Sequence, residues 1–126
     1  MEPRQVVARY LAEVLNGAGP AHPEELLSSE ALRQRTTSFR KAFPDLQVTT
    51  RTLLVEGDLV AARLTGRGTH QGLFQGVPAT GRAWQADCIS VFRVEKDRIA
   101  EAWVHWDQLA LMEQLGAIQR VPTVSA

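Results

Sequence analysis

Cysteine is almost missing from this chain. Cys88 is the single one among 126 residues, so no intramolecular disulfide forms and no cysteine-rich metal site can be built. An excess of one charge is missing as well. The 14 Lys and Arg are balanced by 14 Asp and Glu, and the basic residues are scattered rather than striped. Nothing therefore steers the chain toward nucleic acid or an anionic membrane. No apolar run approaches the roughly 18–20 residues of a membrane span. Met1-Glu2-Pro3-Arg4 leads straight into an amphipathic pattern, without the apolar stretch of a secretory signal. No repeat or low-complexity segment is present. These absences leave a cytoplasmic protein of one domain over residues 1–120, long enough for a sizeable core, with a loose tail at 121–126.

What is present is an orderly change of period. Val6, Val7, Tyr10, Leu11, Val14 and Leu15 form a helical stripe, opened by Pro3 and stopped by Asn16-Gly17. Pro23 opens a second helical part whose stripe, Leu26, Leu27, Ala31, Leu32, Phe39 and Phe43, is interrupted near Ser28-Ser29. After Pro44-Asp45 the period becomes 2. Gln47–Glu56 reads as a strand with Val48, Thr50, Thr52 and Leu54 on one face, and Gly57-Asp58 turns it back into Leu59–Gly68. Thr69–Arg82 is a Gly/Pro-rich loop that carries Leu73, Phe74 and Val77, so it is expected to fold over a core opening or a ligand. Trp84–Val94 is apolar on both faces, the pattern of a central, doubly covered strand.

Arg98–Gly116 begins as a strand and ends as a helix. Alternation puts Trp103, His105 and Asp107 on one face and Ala102, Val104 and Trp106 on the other. The first set is taken as the inner one, because it gathers groups that can do chemistry. Helices first, then about four strands with hairpin-like links, then a short helix, make an α+β fold with an antiparallel sheet.

Five elements in order resemble the SnoaL-like polyketide cyclase family of the NTF2-like (cystatin-like) superfamily. They are Phe43-Pro44-Asp45-Leu46; Gly57-Asp58-Leu59-Val60-Ala61; Gly68-Thr69-His70 running to Val77-Pro78-Ala79-Thr80-Gly81; Val91-Phe92-Arg93-Val94; and Ile99–Trp103 with Asp107-Gln108-Leu109. The resemblance implies a curved antiparallel sheet wrapped around the N-terminal helices, a cone with an apolar pocket at its open end. In the characterised cyclases an aspartate at the end of the last strand is the acid/base of an intramolecular aldol closure, with no metal or organic cofactor. Asp107 stands at that place. The family pattern there has a longer stretch with an aspartate, an aromatic and a histidine toward the pocket; Pro23–Arg40 is shorter, and its polar residues are Ser, Glu, Gln, Arg and Thr.

Read from the residues, Asp107 is either a general base or the N-cap of the helix that follows. His105 would position substrate or exchange protons with Asp107, or else sit as an ordinary sheet histidine. Trp103 and Ser90 are candidate substrate contacts, and so are His70 and Phe74 in the loop, where turn and packing roles compete for His70. Ser90 lies on a buried strand and needs a partner inside. Cys88 reads as a small buried hydrophobe. His22, His70 and His105 fall in separate elements, so no metal is expected.

The expected activity is a cofactor-independent cyclase or isomerase acting on an apolar, carbonyl-containing small molecule. The alternatives are a non-catalytic binder and, after it, an epoxide or ester hydrolase. No nucleic acid or membrane partner is expected. A homodimer is, through the apolar Ile89/Val91 and Val104/Trp106 surfaces.

Overall fold

The computed structural model describes residues 1–19 and 21–119, and the tail expected at 121–126 lies outside them. The first helix, α1 (Pro3–Arg9), continues into a wider π-helical stretch, Tyr10–Leu15, where Asn16 N–H donates to Leu11 O at 3.1 Å. Such widening is frequent at functional sites. It holds Tyr10, Leu11, Val14 and Leu15 against the core. Gly17, at φ +67°, ends the helix in the left-handed conformation expected of it. The Asn16 side chain then acts like a short strand, because its Nδ2 donates to Val48 O and its Oδ1 accepts from Val48 N.

The break near Ser28-Ser29 is real and has a purpose. After the single turn of α2 (Pro23–Leu26), Leu27 forms a parallel bridge to Ile99, and Ser28 N–H donates to Ile99 O. Ser29 then caps α3 (Glu30–Ala42), its hydroxyl accepting from Leu32 N. No helix among the described residues is long and apolar enough to cross a membrane.

Four strands, β1 (Gln47–Glu56), β2 (Leu59–Thr69), β3 (Ala83–Glu95) and β4 (Arg98–Trp106), make one antiparallel sheet in the order β1-β2-β3-β4. The sheet is curved, in an NTF2-like α+β arrangement, and α4 (Gln108–Gln114) follows β4. At the end of β2, Asp45 accepts from Thr69 N and Thr69 Oγ1 at 2.8 and 2.7 Å. Those bonds lower the carboxyl pKa. The clamp therefore stabilises the fold near neutral pH, and its contribution is lost as acid protonates the folded carboxyl.

Three expectations about faces are corrected. On β1 a bulge between Thr50 and Thr52 inserts one residue, which exchanges the faces of everything beyond it. Val48 faces in, but past the bulge Leu53 is the residue that pairs with buried Ala62 and packs on the core, while Leu54 is 65% exposed. On β3 only Trp84, Ala86, Cys88, Ser90, Phe92 and Val94 are buried, and Ile89 is 55% exposed, so the strand is not covered on both sides in the single chain.

The third correction concerns β4. Directly opposed residues of an antiparallel pair share a face. Cys88, Ser90 and Phe92 are inward and oppose Trp106, Val104 and Ala102. Trp103 and His105 oppose Val91 and Ile89 and so lie on the outer surface. The Val104/Trp106 pair therefore belongs to the interior rather than to an outer contact surface. One apolar row, Leu54, Ala61, Val91 and Trp103, crosses the outer face of all four strands.

Candidate functional site

Between α3 and the inner face of the sheet lies a cavity of about 680 Å³. Its walls are built by period. Leu64 on β2, Cys88, Ser90 and Phe92 on β3, and Ala102, Val104 and Trp106 on β4 supply one side; Tyr10, Leu11 and Leu15 from the first helix and Leu32, Thr36 and Phe39 from α3 supply the other. The loop behaves as its apolar residues led us to expect. Phe74 and Val77 exchange backbone hydrogen bonds, and Leu73, Phe74 and Gln75 reach the cavity. Gln108 lines it at the start of α4 and donates to Gln75 Oε1.

An aromatic cluster fixes the wall at Trp106. The indole stacks on Phe39 at 5.3 Å and 17°, and meets Trp84 edge-on at 5.8 Å. Gly66 makes the space, since a Cβ there would come within 2.5 Å of the indole.

The polar groups inside come as two hydrogen-bonded pairs. Tyr10 Oη lies 2.9 Å from Thr36 Oγ1, both buried, and Cys88 Sγ lies 3.2 Å from Ser90 Oγ. Burial raises the Tyr10 pKa, against the hydrogen bond from Thr36 and the positive charge of Arg35. Burial likewise raises that of Cys88. Both groups therefore stay protonated near neutral pH and can donate to a carbonyl oxygen. Among the described residues, no aspartate, glutamate or histidine lines the cavity.

Of the candidates named from sequence, Ser90 and Phe74 line the cavity. Trp103, 46% exposed, and His105 lie on the opposite face of the sheet. Asp107 is exposed and caps α4, its Oδ1 accepting from Ala110 N at 3.1 Å. His70 is fully buried under the loop rather than in the cavity. Its Nδ1 accepts from Thr80 N and lies 2.9 Å from Thr80 Oγ1, while Nε2 has no partner among the described residues.

A carboxylate–arginine–carboxylate cluster of the kind hydrolases use does occur, with Arg93 bonded to Glu101 and Glu95. It sits on exposed strand positions away from the cavity. A second hollow, of about 530 Å³, includes Arg40, but that guanidinium is engaged by the carbonyls of Val14 and Leu15.

The Tyr10–Thr36 pair went unnamed in the sequence. Its signal was there. Thr36 sits four residues after Leu32 and three before Phe39, a polar group on an apolar stripe, which requires a buried partner.

The description "SnoaL-like polyketide cyclase" matches residues 4–115. Among solved structures, the chain is similar to TsrD from Streptomyces laurentii, at 30% identity and TM-score 0.77, covering 91% of this chain and 95% of that one. IdmH from Streptomyces antibioticus follows at 27% identity and TM-score 0.74, covering 92% and 99%. A SnoaL-like polyketide cyclase from Agrobacterium tumefaciens, at 22% identity and TM-score 0.75 over 92% and 99%, shares the fold. No curated protein matches the chain.

Proposed function

The chain belongs to the SnoaL-like polyketide cyclase family, and from that premise we propose that it is a cofactor-independent cyclase or isomerase for an apolar, carbonyl-rich small molecule. The observation that carries this reading is the pair of buried hydroxyls, Tyr10 and Thr36, in the wall of an otherwise largely apolar cavity. An apolar cavity with a few placed polar groups is the usual form of a small-molecule site.

The mechanism follows from what those groups are. A 1,3-dicarbonyl exists partly as its enol, so its carbon is already nucleophilic and needs no strong base. Held in the cavity, the enol carbon attacks a ketone of the same molecule. A C–C bond forms, the ketone becomes an alkoxide, and the enol oxygen gives up its proton. The Tyr10–Thr36 pair takes that proton at one oxygen and delivers one from the other to the alkoxide, with no net gain or loss. Protonated Tyr10 also stabilises the developing oxyanion, and Ser90 holds the second carbonyl. Enclosure supplies the rest by folding the substrate into a reactive conformer. Asp107, occupied as a helix cap, takes no part.

Ring closure of a phenyl 1,3-diketone carrying an ortho 2-oxopropyl arm, followed by NMR, tests this. Native protein is expected to accelerate it, and Tyr10→Phe to lower that acceleration by about 10²-fold while binding is retained. Binding by native protein without any acceleration would leave the non-catalytic binder, a reading favoured by the lack of Asp, Glu and His in the cavity lining.

We also propose that a second copy covers the outer row Leu54, Ala61, Val91 and Trp103, which is self-complementary under a two-fold axis. Trp103→Glu is expected to convert a dimer to a monomer in sedimentation velocity. A native chain that sediments as a monomer at micromolar concentration would contradict the pairing.

A further inference from the structure

Among the described residues, the cavity carries one charge and nothing to balance it. Arg35, an exposed residue of α3, is the only lysine, arginine, aspartate or glutamate among them that lines it. Its neighbours on the same helix are engaged elsewhere. Arg33 donates to Leu27 O, and Arg40 to the carbonyls of Val14 and Leu15. Arg35 has no hydrogen bond or ion pair among the described residues. The acid at the start of α3, Glu30, instead accepts from Gln34 at 3.4 Å. Gln34 and Ser38 line the cavity beside Arg35, so this side is polar while the depth is apolar.

The guanidinium also acts on the interior. Its charge is felt at the Tyr10 hydroxyl, where it opposes the effect of burial. One ligand can therefore reach the hydroxyl pair with a carbonyl oxygen and the guanidinium with an anionic group. A planar carboxylate suits a guanidinium, which offers two parallel N–H donors. An ester presents the same atoms without charge and forms the weaker contact.

We infer that this cavity takes its substrate as a free carboxylic acid rather than an ester, with Arg35 binding the carboxylate and the apolar, carbonyl-bearing body lying against the Tyr10–Thr36 pair. The inference rests on the cavity being the substrate site and adds the substrate's charge state. It makes Arg35 a specificity-determining residue. Because Arg35 is exposed, replacing it leaves the packing of α3 intact.

The test is isothermal titration of 6-acetyl-2-naphthoate and its methyl ester at low salt and pH 7.5. Native protein is expected to bind the acid at least about ten-fold more tightly, as a charge-assisted contact requires. Added salt should narrow that gap. Arg35→Gln is expected to remove the preference, lowering the affinity of the acid at least about ten-fold and that of the ester by much less. Arg35→Lys should keep part of the preference, and thermal melts confirm that both variants are folded. Equal binding of acid and ester by native protein, or a preference that survives in Arg35→Gln, overturns the carboxylate inference and leaves the cavity reading standing. No binding of either ligand, or binding that a cavity-filling substitution at Val104 leaves untouched, overturns both.

Discussion

Phe43→Ala is expected to destabilise the protein by about 3–5 kcal/mol and to lower its melting temperature by roughly 10–20 °C. The ring is fully buried. It meets Trp84 at 4.8 Å, Phe39 and Phe74 at 5.0 Å, and the His70 imidazole at 5.9 Å. Those four belong to β3, α3, and the loop and its base, so one side chain joins three parts of the molecule. Truncation removes its transfer free energy and leaves a cavity that the strands can only partly close. A loss of this size is a large fraction of a typical domain's total stability. Phe39 and Phe74 also line the cavity, so affinity for the proposed ligand should fall together with stability. Urea titration measures the first effect and calorimetric titration the second. Phe43→Leu, which keeps most of the volume, should cost less than half as much. An alanine variant that loses under about 1 kcal/mol would mean that the cluster is not packed as described.

The second large effect concerns binding alone. Val104 faces the cavity on β4, directly opposite Ser90 on β3. Val104→Trp is expected to place an indole in empty space rather than in packed core. Stability should therefore change by less than about 1 kcal/mol, while affinity for 6-acetyl-2-naphthoate falls by roughly 10²-fold, or about 3 kcal/mol. Val104→Ile, which adds one methylene, is the control and should bind within a few-fold of native. Unchanged affinity in a well-folded Trp variant would place the ligand somewhere else.

Element order, the helix stops, the hairpin at Gly57-Asp58 and the family were legible in the sequence, because each depends on local chemistry. Pro3 and Pro23 start helices, and Gly17 stops one. What the sequence did not convey was the sign of a face. Alternation along 102–106 says that Trp103 and His105 oppose Val104 and Trp106, but it is symmetric between inside and outside. Placing the imidazole and the carboxylate inside broke the tie the wrong way. The tie is settled by register with β3, where Ser90 and Cys88 face in and bring Val104 and Trp106 with them. The bulge between Thr50 and Thr52 is a second example, because one inserted residue moves Leu53 inward with no mark in the pattern. Ser90 is legible because it is a polar residue on a buried surface. Thr36 on α3 carries the same mark, and its buried partner is Tyr10.

Asp107 shows the other limit. A carboxylate just before a helix is equally a cap or a catalytic group in sequence. Here its side chain bonds Ala110 N, and its backbone N–H donates to Asp87 O, outside the cavity lining. That is the geometry of a positioned helix end. The hydroxyls of Tyr10 and Thr36, in contrast, are paired in the cavity wall.

The most direct measurement sets these two sites against each other. Ring closure of the 1,3-diketone bearing the 2-oxopropyl arm would be timed with native protein, Tyr10→Phe and Asp107→Asn, each checked for folding by thermal melt. Asp107→Asn is expected to close the ring at close to the native rate and to keep a near-native melting temperature, because asparagine caps a helix about as well as aspartate. Tyr10→Phe is expected to lose most of the acceleration while still binding ligand. A folded Asp107→Asn variant that binds but no longer accelerates closure, beside a Tyr10→Phe variant that still does, would contradict the account and move the chemistry to the carboxylate.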